Sequence, residues 1–179
     1  MADTSRSIII DAHPAQVWPY LFGSKDKLLQ WQHKAGPYSS IRDADINIVD
    51  DPNGDKVGAI TAQTTDGRTV VMHLIEYNEP RYATFHCTYD ALPISIDQYI
   101  AFELEPAEDP EKEGIKTELT LTVDWKLAGS NLPLRLLAGL TSKGKFAEML
   151  FFTLRNIKDL VEKNTVVSNE EAVYADVDD

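Results

Sequence analysis

Apolar and polar residues alternate most regularly in the second half of the chain. Residues 115–127 place their apolar side chains on one side of an extended strand; these are Ile115, Leu119, Leu121, Val123 and Trp125. Residues 95–105 show the same period of two, with Gln98 between Ile96 and Ile100 on the apolar side. Such alternation predicts antiparallel strands with one buried face and one face in water.

The first ninety residues predict further strands and two short helices. Residues 5–11 are rich in β-branched side chains and predict a first strand. Residues 13–22 show helical spacing, but Pro19 inside this segment predicts a helix that is short or bent. A second short helix is predicted over residues 24–31. Residues 39–89 predict a meander of strands separated by turns rich in Asp, Asn, Gly and Pro.

The end of the chain is predicted to be helical. Residues 145–163 carry apolar side chains at the spacing of an amphipathic helix. The leucine-rich residues 132–140 predict a helical segment before it, and we expect a break or kink at Thr141 to Gly144. A one-sided sheet needs a cover, and this helix is the largest amphipathic element available. We therefore expect an α+β protein in which six or seven curved antiparallel strands wrap around the C-terminal helix.

Charge narrows the classes of function. The chain has 179 residues and a formal net charge of −12, which argues against a nucleic-acid binder because that class needs a basic face. Residues 165–179 hold five acidic residues and no Lys or Arg. We expect one domain over residues 1–164 and an acidic, disordered tail over residues 165–179.

The chain shows no sign of export or membrane insertion. It has one cysteine, Cys87, which fits a reducing compartment. It has no apolar signal core at the N-terminus and no apolar run of 18 residues. We expect a cytoplasmic protein without stable membrane insertion, either a monomer or a dimer.

Candidate catalytic chemistry is sparse. The histidines show no metal-ligand spacing; they are His13, His33, His73 and His86. The sequence contains neither a serine nucleophile elbow nor a glycine-rich phosphate loop. We therefore expect no catalytic constellation, no metal and no cofactor. Cys87 alternates with Phe85 and is expected to be a small buried hydrophobe.

Three segments resemble a known superfamily. They are residues 10–21 (IDAHPAQVWPYL), residues 77–80 (YNEP) and residues 117–125 (TELTLTVDW). With the order of elements, they make roughly residues 5–163 similar to the START/SRPBCC superfamily, the birch-pollen-allergen-like fold. Within it, the chain looks most like the polyketide cyclase/dehydrase and lipid-transport group. The resemblance implies a helix-grip fold and binding of lipids, polyketides or other apolar ligands, although some members are enzymes.

The first functional hypothesis is binding or carriage of an apolar small molecule in a cavity between the sheet and the C-terminal helix. The expected ligand-cavity residues are Trp31, Phe85, Gln98, Phe102, Leu119, Leu121, Phe146 and Leu150. We expect an apolar lip at the cavity mouth, formed by Leu134, Arg135 and Leu137. Gln98 is the most informative of these residues, because a buried amide needs hydrogen-bond partners.

Two alternatives remain open at this point. A cyclase or dehydratase-like enzyme would use the same cavity and an inward-pointing acid or base, and its candidates are His33, His86, Tyr99 and Glu76. A protein-interaction module, resembling the chaperone-ATPase activators of this fold, would expose residues 132–140 as an apolar patch.

Overall fold

A computed structural model gives the fold of most of the chain. The described backbone covers residues 2–32, 41–50, 56–64, 67, 69–91, 94–108, 115–128 and 132–175. The described side chains are those of residues 3–31, 43–46, 58–64, 67, 69–88, 96–107, 115–127 and 143–164. His33 and the side chains of the expected cavity mouth lie outside these ranges.

The elements follow the predicted order of one strand, two short helices, six further strands and a long helix. They are β1 (Ala2–Ile10), α1 (Pro14–Phe22), α2 (Lys25–Gln32), β2 (Ile41–Asp50), β3 (Lys56–Thr64), β4 (Thr69–Asn78), β5 (Tyr82–Ala91), β6 (Ile94–Glu108), β7 (Ile115–Ala128) and α3 (Leu132–Ala175). The strands form one curved, open antiparallel sheet in the order β1-β7-β6-β5-β4-β3-β2. This architecture confirms the predicted α+β fold.

Local sequence explains where α1 begins and ends. The ring of His13 accepts a hydrogen bond from the backbone N–H of Ala15 at 3.2 Å, and Gln16 caps the His13 N–H in return. This capping box fixes His13 at the start of the helix. The helix continues through Pro19 to Phe22. Gly23 is the C-cap, and the close approach of its backbone requires glycine, since a Cβ there would lie 2.4 Å from the Pro19 carbonyl oxygen.

Side-chain contacts hold α2 in place. The indole Nε1 of Trp31 donates to the Tyr20 carbonyl oxygen at 3.1 Å. Asn156 of α3 donates to the Trp31 carbonyl oxygen at 3.4 Å. Lys25 forms ion pairs with Asp43 and Asp45 of β2 at 2.9 and 3.2 Å. Because the lysine is exposed, we expect these pairs to orient the helix more than to stabilise it.

The register of the sheet shows which residues lie on its inner face, including those of the segment where alternation did not predict the facing. One row of paired residues runs across five strands: Ile60, Met72, Cys87, Gln98 and Trp125. All five are buried. In residues 56–76, where the sequence pattern is irregular, the inward side chains are therefore those in register with Ile60 and Met72. A bulge after Leu74 shifts the register and leaves Ile75 half exposed.

The long helix α3 covers one side of the inner face. Its buried positions recur at helical spacing: Leu150, Leu154, Ile157 and Val161. They pack against β1 and β7 and against the two short helices. The expected break at residues 141–144 is wrong, because α3 runs without interruption from Leu132.

The helix also reaches beyond the predicted domain. Its backbone continues to Ala175, into the acidic segment that we expected to be disordered. The division at residue 164 into a domain and a separate tail remains a prediction. In the described part of the chain, no helix is long and apolar enough to span a membrane.

We expect Leu154→Ala to lower the free energy of unfolding by about 2–5 kcal/mol, because it opens a cavity between α3 and the sheet. Leu154 is 2% exposed. The matched control is the neighbouring Arg155→Ala, whose side chain is 63% exposed and should change stability by less than about 0.5 kcal/mol. Urea denaturation followed by circular dichroism measures both. Equal effects of the two variants would contradict this packing.

Candidate functional site

One end of the inner face is closely packed by aromatic side chains. The ring of Phe22 lies 5.5 Å from that of Phe85 and 5.2 Å from that of Phe102. Trp31 lies 6.3 Å from Phe102, and Trp18 lies 5.0 Å from Phe22. Edge-to-face contacts of this kind add stability beyond the area they bury. This aromatic cluster lies between the sheet and the helices α1 and α2. We call it the packed end.

Towards the other end of the strands, the inner face is less completely covered. Several inward apolar side chains there are only partly buried: Ile46, Val70, Ile96, Ile100, Leu127, Phe146 and Met149. They come from β2, β4, β6, β7 and α3, and those on strands share the inner face by register. We call this set the inner apolar patch.

Ile100 is the most telling member of this patch. It lies on β6, with neighbouring strands on both sides, and pairs with Phe85 and Val123. Those two neighbours are 1% and 0% exposed, whereas Ile100 is only partly buried. Ile100 therefore keeps accessible surface beside two strand neighbours that have almost none.

Gln98 lies one inward position from Ile100 on the same strand. It is 9% exposed, and its Oε1 atom accepts no hydrogen bond from any described residue. Its cross-strand partners are Cys87 and Trp125. Phe146 of α3 packs on Trp125 with ring centroids 4.6 Å apart. A buried polar atom without a partner costs about 1–3 kcal/mol, so this amide is an unusual choice for a purely structural position.

Cys87 is the cross-strand neighbour of that amide on β5. Its side chain is fully buried, as the sequence predicted. Burial raises the pKa of the thiol to about 11, and the neighbouring Gln98 partly opposes this rise.

The expected ligand-cavity residues fall into three groups. Trp31, Phe85 and Phe102 belong to the packed end. Leu119, Leu121 and Leu150 are at most 2% exposed in the core. Gln98 and Phe146 border the inner apolar patch. Contact of any of them with a ligand remains a prediction.

Sequence reasoning did not select most of the inner apolar patch. Ile100 had been placed on the inner face, but alternation cannot show which inward residues stay accessible. Trp125, which carries the contact with α3, was also placed on that face without being chosen as a site residue. The sequence of one strand does not show which residues of the next strand it pairs with. The position of Trp125 opposite Gln98 could therefore not be predicted.

The candidate acids and bases that the structure describes do not reach the inner face. His86 alternates with the buried Cys87 and so projects from the outer face. There its Nε2 lies 2.6 Å from Asp97, and its ring stacks on Tyr99 with centroids 4.6 Å apart. Glu76 is exposed. His86 on β5 and Tyr99 on β6 therefore lie together on the outer face, away from the inner apolar patch.

Metal binding finds no support within the described ranges. No group of three or more His, Cys, Asp or Glu side chains there is arranged to hold a metal ion. His73 pairs with His86 across β4 and β5 and is exposed on the outer face. The backbone of Leu134, Arg135 and Leu137 lies in the first turns of α3, so their role as a cavity mouth also remains a prediction.

Comparison with known proteins defines the fold and leaves the activity open. No protein-family model and no curated protein match the chain by sequence. A conserved protein from Geobacillus kaustophilus has a similar structure, with 13% identity, a TM-score of 0.59, and 90% of this chain and 96% of that one covered. A protein from Nitrosomonas europaea gives 17% identity, a TM-score of 0.55, and coverage of 92% and 96%. A protein from Chromobacterium violaceum gives 11% identity, a TM-score of 0.55, and coverage of 89% and 96%.

Identities this low show the fold alone. The order of elements, the order of strands and the long C-terminal helix make this a helix-grip fold of the START/SRPBCC type. The fold expected from residues 10–21, 77–80 and 117–125 is therefore confirmed.

We expect Gln98→Met to leave the free energy of unfolding unchanged or to raise it by up to about 1–3 kcal/mol, because it removes a buried acceptor that has no partner. The matched control is Thr117→Val. Thr117 is equally inward and fully buried, but its Oγ1 donates to the Ala12 carbonyl oxygen at 2.6 Å. That variant should lose about 1–3 kcal/mol. Urea denaturation measures both, and a loss in Gln98→Met as large as that in Thr117→Val would show that the amide is satisfied.

We expect alkaline pH to destabilise the protein through Cys87. The unfolded thiol ionises near its ordinary pKa of 9.0, whereas the folded thiol keeps its proton up to about 11. Stability from the protonated thiol is therefore present below pH 9 and lost as the pH rises to 11, by about 2 kcal/mol. Denaturation of the wild type and of Cys87→Ala between pH 8 and 11 tests this. Parallel pH profiles of the two proteins would contradict it.

Proposed function

We infer that this protein binds or carries an apolar small molecule, such as a lipid, a polyketide or an aromatic metabolite, between the inner face of the sheet and α3. The observation that carries this proposal is the accessible surface of Ile100 between two fully buried neighbours. Burial of that apolar surface by a ligand would release water from it, at about 25 cal/mol for each Å² covered.

The character of the surrounding side chains supports an uncharged or weakly polar ligand. The inner apolar patch contributes aliphatic, aromatic and thioether groups. The buried polar side chains that the structure describes are neutral: Thr4, Thr64, Gln98, Thr117 and Thr153. A charged ligand group placed deep among them would lose its hydration without gaining an opposite charge.

The enzyme and interaction hypotheses have less support. A cyclase or dehydratase in this space needs an acid or base that points inward, but His86 and Tyr99 lie on the outer face. An interaction module would depend on residues 132–140, whose side chains lie outside the described ranges. Neither hypothesis is favoured by a specific contact, so both serve as alternative outcomes of the binding experiment.

The proposal predicts that the purified protein binds Nile red, a neutral apolar dye, and that Ile100→Trp weakens this binding about tenfold or more. The indole fills the space over β6 and removes contact area worth about 0.8 kcal/mol for each CH₂ that no longer fits. The fluorescence of the dye during titration with protein measures the dissociation constant. Native mass spectrometry of the same preparation detects a ligand retained through purification.

The matched control is Thr84→Trp. Thr84 lies on β5 beside Phe85 and projects from the opposite, outer face. The same bulky side chain there should change the dissociation constant by less than about twofold, because it leaves the space over Ile100 unfilled. Absence of dye binding and of any retained ligand in the wild-type protein would overturn the proposed function. Equal weakening by the two tryptophan variants would remove Ile100 from the site.

A further inference from the structure

We propose that Gln98 is the recognition residue of this site, and that the bound molecule carries a neutral hydroxyl or N–H group which donates a hydrogen bond to its Oε1 atom. This inference rests on the proposed function and deepens it, because it adds a defined polar group to an otherwise apolar ligand. It rests on the position of one side chain and on the groups around it.

The position of Gln98 places an acceptor beside partly accessible apolar side chains. Ile96 and Ile100 flank it on the same face of β6, and both are only partly buried members of the inner apolar patch. Gln98 itself is more than nine-tenths buried, and its Oε1 atom is buried with it. A ligand over Ile96 and Ile100 would therefore reach this oxygen by displacing the apolar groups that cover it.

The partners of the amide leave the oxygen for the ligand. On the β5 side stands Cys87, the cross-strand neighbour of the amide. On the β7 side stands Trp125, whose ring packs against Phe146. The Oε1 atom has no hydrogen-bond donor among the described residues. Since buried polar atoms in native proteins are nearly always satisfied, a donor on the ligand completes the set.

Electrostatics selects the kind of donor. A carboxylate would bring a second acceptor towards Oε1 and would be repelled. An ammonium group would lose its hydration, and the buried polar side chains described on this face are threonines and Gln98, with no carboxylate to pair with it. A neutral hydroxyl or N–H group pays the least for desolvation and forms the missing hydrogen bond. The expected ligand class is thus an apolar molecule with an alcohol, phenol or amide-type donor.

Two probes of the same shape separate this proposal from simple apolar binding. 2-Naphthol carries an O–H donor, and 2-methoxynaphthalene replaces that donor with a methyl ether. Competition with Nile red gives an inhibition constant for each. We expect wild-type protein to prefer the naphthol about tenfold, since a site built to bond a hydroxyl discriminates against an analogue that lacks the donor.

Gln98→Met removes the amide and keeps a side chain of similar length. We expect it to bring the two inhibition constants within about twofold of each other, mainly by weakening naphthol binding. The matched control is Thr153→Val, which removes a different buried hydroxyl, on α3. It should retain the wild-type preference for the naphthol.

The results distinguish failure of the role of Gln98 from failure of the proposed function. Equal affinity of wild-type protein for the two probes, or preference for the ether, overturns the role of Gln98 while dye binding still supports the proposed function. A tenfold preference that survives in Gln98→Met also overturns it, because another group must then accept the hydrogen bond. Failure of wild-type protein to bind Nile red overturns the proposed function, and this inference falls with it. If Gln98→Met fails to fold, Gln98→Leu takes its place in the same comparison.

Discussion

The width of the sheet relative to the helix that covers it governs this structure. Seven strands at about 4.8 Å spacing span roughly 29 Å, whereas an α-helix with its side chains is about 10–12 Å wide. One helix cannot cover one whole face of such a sheet. In this protein α3 packs on the β1 and β7 side, and α1 and α2 add cover at one end. Curvature of the sheet and large side chains must account for the rest, or a ligand must.

The exposure of inward side chains along β6 rises where the helices no longer cover the sheet. Leu104 and Phe102 lie beneath the helical layer and are 2% and 6% exposed. Ile100 and Ile96, further along the same face, keep accessible surface. Polar groups follow the same gradient. Thr117 at the covered end has its hydrogen bond with a backbone carbonyl oxygen, whereas the oxygen of Gln98 has none among the described residues.

A buried amide at this position connects stability with function. A leucine or methionine would pack on the same face without the cost of desolvating an amide. Proteins accept such costs most readily where a polar group orients a ligand. The titratable groups that suggested catalysis, His86 and Tyr99, stack together on the wet face of the sheet. Among the described residues, the buried polar side chains are therefore neutral, and the titratable candidates lie on the outer face.

The sequence by itself determined the class of fold, the faces of β6 and β7 and the burial of Cys87. These features depend on local periodicity and on residues close together in the chain, and both are visible in one dimension. Alternation failed in residues 56–76, where pairing with neighbouring strands sets the register. Thr141 to Gly144 did not break α3, since one glycine inside a helix costs only about 1 kcal/mol. Only the tertiary structure set Trp125 and Cys87 beside Gln98 and left Ile100 only partly buried. Register and cover arise between distant segments, so the unpartnered oxygen of Gln98 among the described residues becomes apparent only in the tertiary structure.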